Sequence, residues 1–376
     1  MMKVGILGGG QLARMMAAAG IPLGMEFVFV DPAPDACAGA YGQLLTADWN
    51  EAPSLEPLKD CDYITCDFEN VPAAVLESLG ESIPVRPGPN AFAAAQDRLT
   101  EKRLFQQLDI PVPPFIEVSS RTDLLAAIDT IGLPSVLKTR RFGYDGKGQA
   151  VLRSREDLEP AWAALGGRDL ILEGWVDFRH ECAITAVRGA DGTTACYPLS
   201  WTVHAEGILR LALAPAPVSS ALQTQAHEYV SRLLGELDYV GCLTLELFAT
   251  DDGLLANEFA PRVHNSAHWT IDGSVTSQFE NHLRAVCDLP LGNTDMRGQV
   301  LMVNWIGQMP PMAPFLAIPG VRWHDYGKKA RSGRKVGHAT LVGANRDALR
   351  EAVAAIKPLI DDQTSSLFNG EMTPLG

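Results

Sequence analysis

Two glutamates, Glu246 and Glu258, stand at equal distances on either side of Asp252. The apolar runs Cys242–Ala249 and Leu254–Phe259 flank Thr250-Asp251-Asp252-Gly253, which predicts a β-hairpin. A tight turn there sets both carboxylates side by side on one sheet face. Like charges so placed repel unless a cation or a shared proton lies between them. Mg²⁺ takes one or two carboxylates together with phosphate oxygens and water, so the pair predicts a metal site serving a phosphorylated substrate. A solvated hairpin is the plainer alternative, but Glu246 is embedded in apolar Leu243–Phe248.

Asn257 through Ser266 then packs Arg262, His264 and Asn265 just past Glu258. Such donors suit an oxyanion beside a γ-phosphate; otherwise the segment is an irregular polar loop. A second cluster runs from Lys138 through Arg140, Arg141, Gly143, Tyr144, Asp145, Gly146, Lys147 and Gly148 to Gln149. Glycines let backbone N–H groups approach phosphate oxygens and the lysines supply charge, although the order is not that of a Walker A loop. Glu173 and Glu181 bracket Gly174, Trp175 and Val176, a strand end that can offer backbone groups to an adenine edge and a carboxylate to a ribose. Finally, Gly8-Gly9-Gly10-Gln11-Leu12-Ala13 fits G-x-G-x-x-A, with Asp31 closing the next strand. That pattern fits NAD, or simply a turn that opens a helix and binds another phosphate.

The elements that must position these residues follow from periodicity. Residues 3–7, Phe27–Asp31 and Tyr63–Cys66 read as strands separated by helical stretches such as Leu12–Ala19, which predicts a parallel, doubly wound sheet. Pro84–Pro89 reads as a linker and Ala91–Leu108 as one helix. Residues 115–290 mix strands (Ser135–Lys138, Leu170–Glu173, Ala183–Val187) with helices, including Thr224–Leu237. A second break, Pro310–Pro314, introduces a small C-terminal unit.

Of the 376 residues, 47% are hydrophobic and 20% charged, as in a soluble protein of two or three packed units. No stretch approaches the ~20 apolar residues of a membrane span. Met1–Leu7 reads as a strand, not a signal peptide. Seven scattered cysteines predict free thiols and a cytoplasmic home. The net charge of −14 argues against nucleic acid and anionic membranes as partners. Against it, Lys328, Lys329, Arg331, Arg334 and Lys335 form a basic cluster that needs its own explanation.

In this order the pieces resemble the ATP-grasp superfamily, and within it the N5-carboxyaminoimidazole ribonucleotide synthetase family of purine biosynthesis. Gly8–Met15, Phe68–Val71, Gln96–Lys102, Lys138–Gln149, Glu173–Val176, Glu181, the glutamate hairpin, Pro261–His268 and Gly333–His338 carry the match. The resemblance implies a mixed α/β ATP-grasp fold: a Rossmann-like unit (1–90), an ATP-grasp unit (91–298) and a small C-terminal unit (299–376). It implies that Arg98, Lys138, Gly143–Gln149, Glu173–Val176, Glu181, His204, Asn257 and Glu258 contact ATP. Glu246 and Glu258 would hold Mg²⁺, or Mn²⁺ in its place. Arg262, His264 and Asn265, with Lys138, would act on bicarbonate and carboxyphosphate. Gly10, Gln11, Leu12 and Glu69 would meet 5-aminoimidazole ribonucleotide, with Lys328, Arg331, Arg334 and Lys335 on its phosphate. The family further implies a homodimer. Ala13, Val263, Ala267 and Ser332 depart from its usual residues. Distinct alternatives are a formate-dependent glycinamide ribonucleotide transformylase, an NAD-dependent oxidoreductase and a nucleotide-binding regulator without turnover.

Overall fold

The computed structural model describes residues 2–49, 52–143 and 146–368. Apolar Met2–Leu7, Met25–Asp31 and Tyr63–Cys66 are strands, joined by Gln43–Thr46 in a parallel sheet with Met2–Leu7 between Met25–Asp31 and Tyr63–Cys66. Helix Gln11–Gly20 leaves the end of the first strand and buries Leu12, Ala13, Met16 and Ala17. The proline-rich segment is not a plain linker. Val85 bridges Ile64 in parallel, and Pro89 opens helix Pro89–Ala95, where its missing N–H is not needed.

The predicted single helix over Ala91–Leu108 is two, Pro89–Ala95 and Arg98–Gln107. Asp97 breaks it by capping the second helix: its side chain accepts from the Leu99 N–H at 3.0 Å. Arg140 holds that same carboxylate through two nitrogens, at 3.0 and 2.7 Å. The second helix is thereby fixed in register against strand Ser135–Thr139, which leads to Arg140.

Phe115–Val118, Leu170–Gly174, Ser135–Thr139 and Gln149–Leu152 form a four-stranded antiparallel sheet, in that spatial order. Helices Arg121–Ile131 and Leu158–Leu165 share its apolar core. Among the described residues the largest sheet has nine strands. Its path runs Gly253–Ala260, Gly241–Thr250, His180–Arg188, Ser200–Ala205, Ile208–Ala214, Gln299–Ile306, Lys335–Gly343, Val321–Asp325, and the ninth strand, Thr194–Cys196, pairs with His180–Arg188 off this path. The C-terminal unit is therefore continuous with the glutamate hairpin through the pairing of Ile208–Ala214 with Gln299–Ile306. Helices Ser220–Glu236 and Arg346–Ile356 share one core with this sheet. Helix Gln278–Val286 and the N-terminal helix and strands share another. Among the described residues no helix is long and apolar enough to cross a membrane.

Candidate functional site

The hairpin forms as its alternation predicts, with strands Gly241–Thr250 and Gly253–Ala260, and Glu246 is the cross-strand partner of Glu258. The reason differs from symmetry about Asp252. The turn joins Thr250 to Gly253, and the register shifts between Glu246 and Leu247. That bulge supplies the residue that brings Glu258 opposite Glu246. Burial, then the charge of Glu258, raises the Glu246 carboxyl to about 7. For Glu258 burial acts the same way, but Arg98, with its charge and a 2.6 Å hydrogen bond, holds the carboxyl below its ordinary value.

Nucleotide-type residues converge around this pair. Lys138, at the buried end of its strand, donates to Glu173 Oε2 at 2.9 Å, and Lys102 Nζ lies 3.4 Å from the same oxygen. Burial opposes the Glu173 charge, yet Lys102 and Lys138 hold its carboxyl at about 2. Glu173 is thus turned onto two lysines. Gly174 and Trp175 likewise give their N–H groups to Pro114 and Pro134 carbonyls. Glu181 is the more open carboxylate, 2.6 Å from His204 Nδ1. Burial disfavours a charged His204, but that bond raises its basicity above the ordinary value.

The Gly-rich loop enters beside these groups. Gly146 and Gly148 have φ of 74° and 73°, which other residues rarely adopt. A Cβ on Gly143 would lie 3.5 Å from the Arg98 guanidinium, and one on Gly146 would meet Gly207. Lys147 is exposed, and Gln149 begins the strand after the loop. Tyr144 and Asp145 lie outside the described residues.

Beyond the hairpin, Arg262 Nε pairs with Glu69 Oε2 at 2.6 Å, tying this segment to the parallel sheet. His264 Nε2 lies 3.1 Å from Glu246, and its Nδ1 accepts from the Ser266 N–H. The proton therefore sits on Nε2, and burial keeps the ring neutral. Both side-chain polar atoms of Asn265, Asn257 Oδ1 and Glu173 Oε1 are buried without a hydrogen-bond partner among the described residues. Buried polar atoms are normally paired, so this set marks where a polar ligand is to be met. Among the described residues no group of three or more His, Cys, Asp or Glu gathers as a metal centre. Two apposed carboxylates are nevertheless donors of the kind Mg²⁺ takes together with phosphate oxygens and water.

The Gly-rich turn holds carboxylates where a dinucleotide would need its pyrophosphate. Asp31 accepts from Gly9 N–H at 2.7 Å and Asp67 from Gly10 N–H at 2.7 Å. A Cβ on Gly8, at φ 101°, would collide with Asp67. Two acids at the helix N-terminus repel a pyrophosphate, so the NAD reading fails on its own motif. Asp67 carried no local signal, lying 57 residues from Gly10 in sequence. The basic loop docks on this turn: Lys328 donates to Gln11 Oε1, and Lys329 pairs with Asp35 at 2.8 Å. Lys335 bears electrostatically on Glu246 and His264, so the loop reaches from the turn to the glutamate pair. Arg334 donates to Lys329 O at 3.3 Å, while Arg331 stays exposed. Leu12 lies in the core, as do the atypical Ala13, Val263 and Ala267. Ser332 is exposed. A separate cleft of about 500 Å³, lined by Asn90, Ala94, Arg103 and Glu236 among others, contains none of the sequence-nominated residues.

Burial raises Asp67 to about 6, against hydrogen bonds from Ala13 and Gly10. Its folded value exceeds the ordinary 3.8, so between about pH 4 and 6 the folded chain binds more protons than the unfolded one. Stability contributed by Asp67 is full below that window and is lost as pH rises through it. Asp67→Asn cannot ionise and flattens the slope, an effect of roughly 3 kcal/mol across the window. Urea unfolding at pH 4.5 and 7.5 checks this; an unchanged slope in the variant excludes Asp67 as its source.

The comparisons with known proteins agree along the whole length. Residues 1–96 match the ribonucleotide synthetase preATP-grasp domain, 103–279 the ATP-grasp domain, and 300–352 the phosphoribosylaminoimidazole carboxylase C-terminal domain. The N5-carboxyaminoimidazole ribonucleotide synthase of Pseudomonas aeruginosa is 51% identical over 96% of this chain and 100% of its own. The crystal structure of the synthetase from Thermus thermophilus superposes with a TM-score of 0.92 at 50% identity, covering 96% of this chain and 99% of that one. The Aspergillus clavatus enzyme, in complex with ADP and 5-aminoimidazole ribonucleotide, gives 0.88 at 31% identity, covering 97% and 98%. With the acid-filled turn, the glutamate hairpin and the basic loop set on one frame, the chain belongs to the N5-carboxyaminoimidazole ribonucleotide synthase family of ATP-grasp proteins.

Proposed function

We propose that the chain is an ATP-dependent carbon–nitrogen ligase. It joins 5-aminoimidazole ribonucleotide to bicarbonate, giving N5-carboxyaminoimidazole ribonucleotide, ADP and phosphate. The carrying observation is the Glu246–Glu258 pair standing between the Lys138–Glu173 cluster and the Arg262–Asn265 segment. The A. clavatus relative holds ADP and the aminoimidazole ribonucleotide, which supports both as ligands of this chain.

The residues divide the work. Lys138 and Arg98, with the Gly143–Gln149 loop, Glu181, His204 and Asn257, bind the nucleotide. Glu246 and Glu258 would hold Mg²⁺, or Mn²⁺, which would neutralise charge on phosphate oxygens. Bicarbonate is a poor electrophile. Its oxygen attacks the γ-phosphorus, the bond to ADP breaks, and carboxyphosphate forms. Lys138 and Arg262 stabilise the spreading negative charge, while His264 Nε2–H and the unpaired Asn265 amide orient the bicarbonate. The amine nitrogen then takes the carboxyl carbon, from carboxyphosphate or the CO₂ it releases, as phosphate departs and the nitrogen loses a proton. Carboxyphosphate hydrolyses readily, so the site must keep water from it. Gly10, Gln11, Leu12 and Glu69 shape the aminoimidazole pocket, and Lys328, Arg331, Arg334 and Lys335 clamp its phosphate.

Units 1–90, 91–298 and 299–376 then supply the acceptor pocket, the ATP site and the clamp. All seven cysteines are free thiols, which supports a cytoplasmic enzyme. We also assign it a homodimer, which light scattering tests. The activity is tested by phosphate release from ATP and bicarbonate, with and without 5-aminoimidazole ribonucleotide. Strict dependence on that ribonucleotide is expected. Release that instead requires formate and glycinamide ribonucleotide would transfer the chain to the transformylase reading.

A further inference from the structure

The hairpin register contains a decision that the strands alone do not make. From Thr250–Gly253 to Leu247–Ala256 the partners follow the two-residue turn without interruption. Continued regularly, Glu246 would face Asn257, and Glu258 would face Leu245. Instead Glu246 faces Glu258 and Leu245 faces Phe259. A one-residue slip turns each following side chain to the opposite face. Without the bulge, Glu258 would point into the core where Phe259 packs on Phe105, ring centroids 6.1 Å apart.

Gly253–Ala260 ends the sheet path, so backbone groups on its outer side have no ladder partners, and the bulge leaves one further residue unpaired. One helix face supplies partners here. Lys102 Nζ donates to Asn257 O at 2.7 Å and Ala256 O at 3.3 Å, on a side chain 0% exposed. Glu173 Oε2 lies 3.4 Å from the same ammonium as an ion-pair partner. Glu101 Oε1 accepts from the Phe259 N–H at 2.7 Å, on the far side of the bulge. Arg98 pairs with Glu258 itself at 2.6 Å. Arg98, Glu101 and Lys102 stand at i, i+3 and i+4 and so share a face. Burying two polar, ionisable side chains in one turn is costly unless each meets fixed partners, and these meet the three residues flanking or forming the bulge.

We infer that Lys102 and Glu101 are positioning residues that hold the bulge at Asn257, and through it the apposition of Glu246 and Glu258. The inference rests on the metal reading of that pair. Neither residue touches substrate; each acts on the backbone that aims Glu258.

The test follows binding rather than turnover. Free Mn²⁺ is titrated by electron paramagnetic resonance with full-length protein and ADP, and ADP binding is measured separately in EDTA. Lys102→Met is expected to weaken Mn²⁺ binding with ADP roughly 10–100-fold, the usual cost of losing support behind a metal ligand. Glu101→Leu does the same, while Glu101→Gln, which keeps an oxygen for the Phe259 N–H, binds Mn²⁺ as wild type does. Metal-free ADP binding by the Glu101 variants stays unchanged, which a general loss of structure would not allow. A folded Lys102→Met that binds Mn²⁺ as wild type does overturns the inference. If Lys102→Met does not fold, equal Mn²⁺ binding by Glu101→Leu and Glu101→Gln overturns it. Failure of the functional reading looks different: wild type then shows no phosphate release dependent on aminoimidazole ribonucleotide, whatever the variants bind.

Discussion

Glu258→Gln is expected to lower ATP cleavage on the order of 10³-fold while leaving the fold intact. Glutamine matches glutamate in shape and keeps an oxygen for Arg98, now 2.6 Å from the carboxylate. What it removes is the negative charge that makes the hairpin pair a site for a cation. Glu246→Gln should lose a comparable factor. The double variant should cost little more than either single one, because residues that act as a unit are not additive. Phosphate release under saturating aminoimidazole ribonucleotide, with circular dichroism as the check on folding, gives the answer. Release within tenfold of wild type in a folded Glu258→Gln protein would place the metal elsewhere.

Lys138→Ala combines two losses. The first is catalytic: a cation near the transferring phosphoryl group is removed from a largely buried position, at an expected cost of roughly 10²–10³-fold in kcat. The second is structural: Glu173, 2% exposed, keeps Lys102 at 3.4 Å and the charge of Arg98 as cationic partners. Breaking a buried pair costs ~3–5 kcal/mol, and the remaining cations bring this towards the lower figure. Lys138→Arg should not restore turnover, since the planar fork cannot reproduce a compact ammonium beside Glu173. The two losses separate experimentally. Thermal unfolding reads the second, and kcat at saturating ATP reads the first. A lowered melting temperature with kcat unchanged would reduce Lys138 to a structural residue.

The sequence made the strands legible because alternation and apolar runs are local signals, and the hairpin over Gly241–Ala260 lies where those signals place it. The apposition of its glutamates was legible for the wrong reason. Counting outward from Asp252 reaches the right pair only because a bulge offsets the true turn at Asp251–Asp252. A bulge stabilised from another helix leaves no trace in the strand that contains it. The helix break at Asp97 was visible in kind, since aspartate favours N-caps, but good helix formers on both sides concealed it. The Gly-rich turn was read correctly as a turn. The carboxylate that accepts from it was not legible, because Asp67 comes from a different strand end. Glu101 and Lys102, in sequence, look like an ordinary charged helix face, and only their burial shows otherwise.

The long antiparallel sheet has a consequence for how such chains recombine. The matches to known domains end at 279 and begin again at 300. Those positions are not borders of cooperativity, since Leu211–Ala214 pairs register for register with Val300–Val303. A C-terminal piece exchanged between relatives must therefore bring a matching strand edge as well as its basic loop. One that does not would leave an apolar edge open to pairing with another molecule. The basic loop and the glutamate hairpin are in this sense one piece of backbone, whatever the divisions between their sequences.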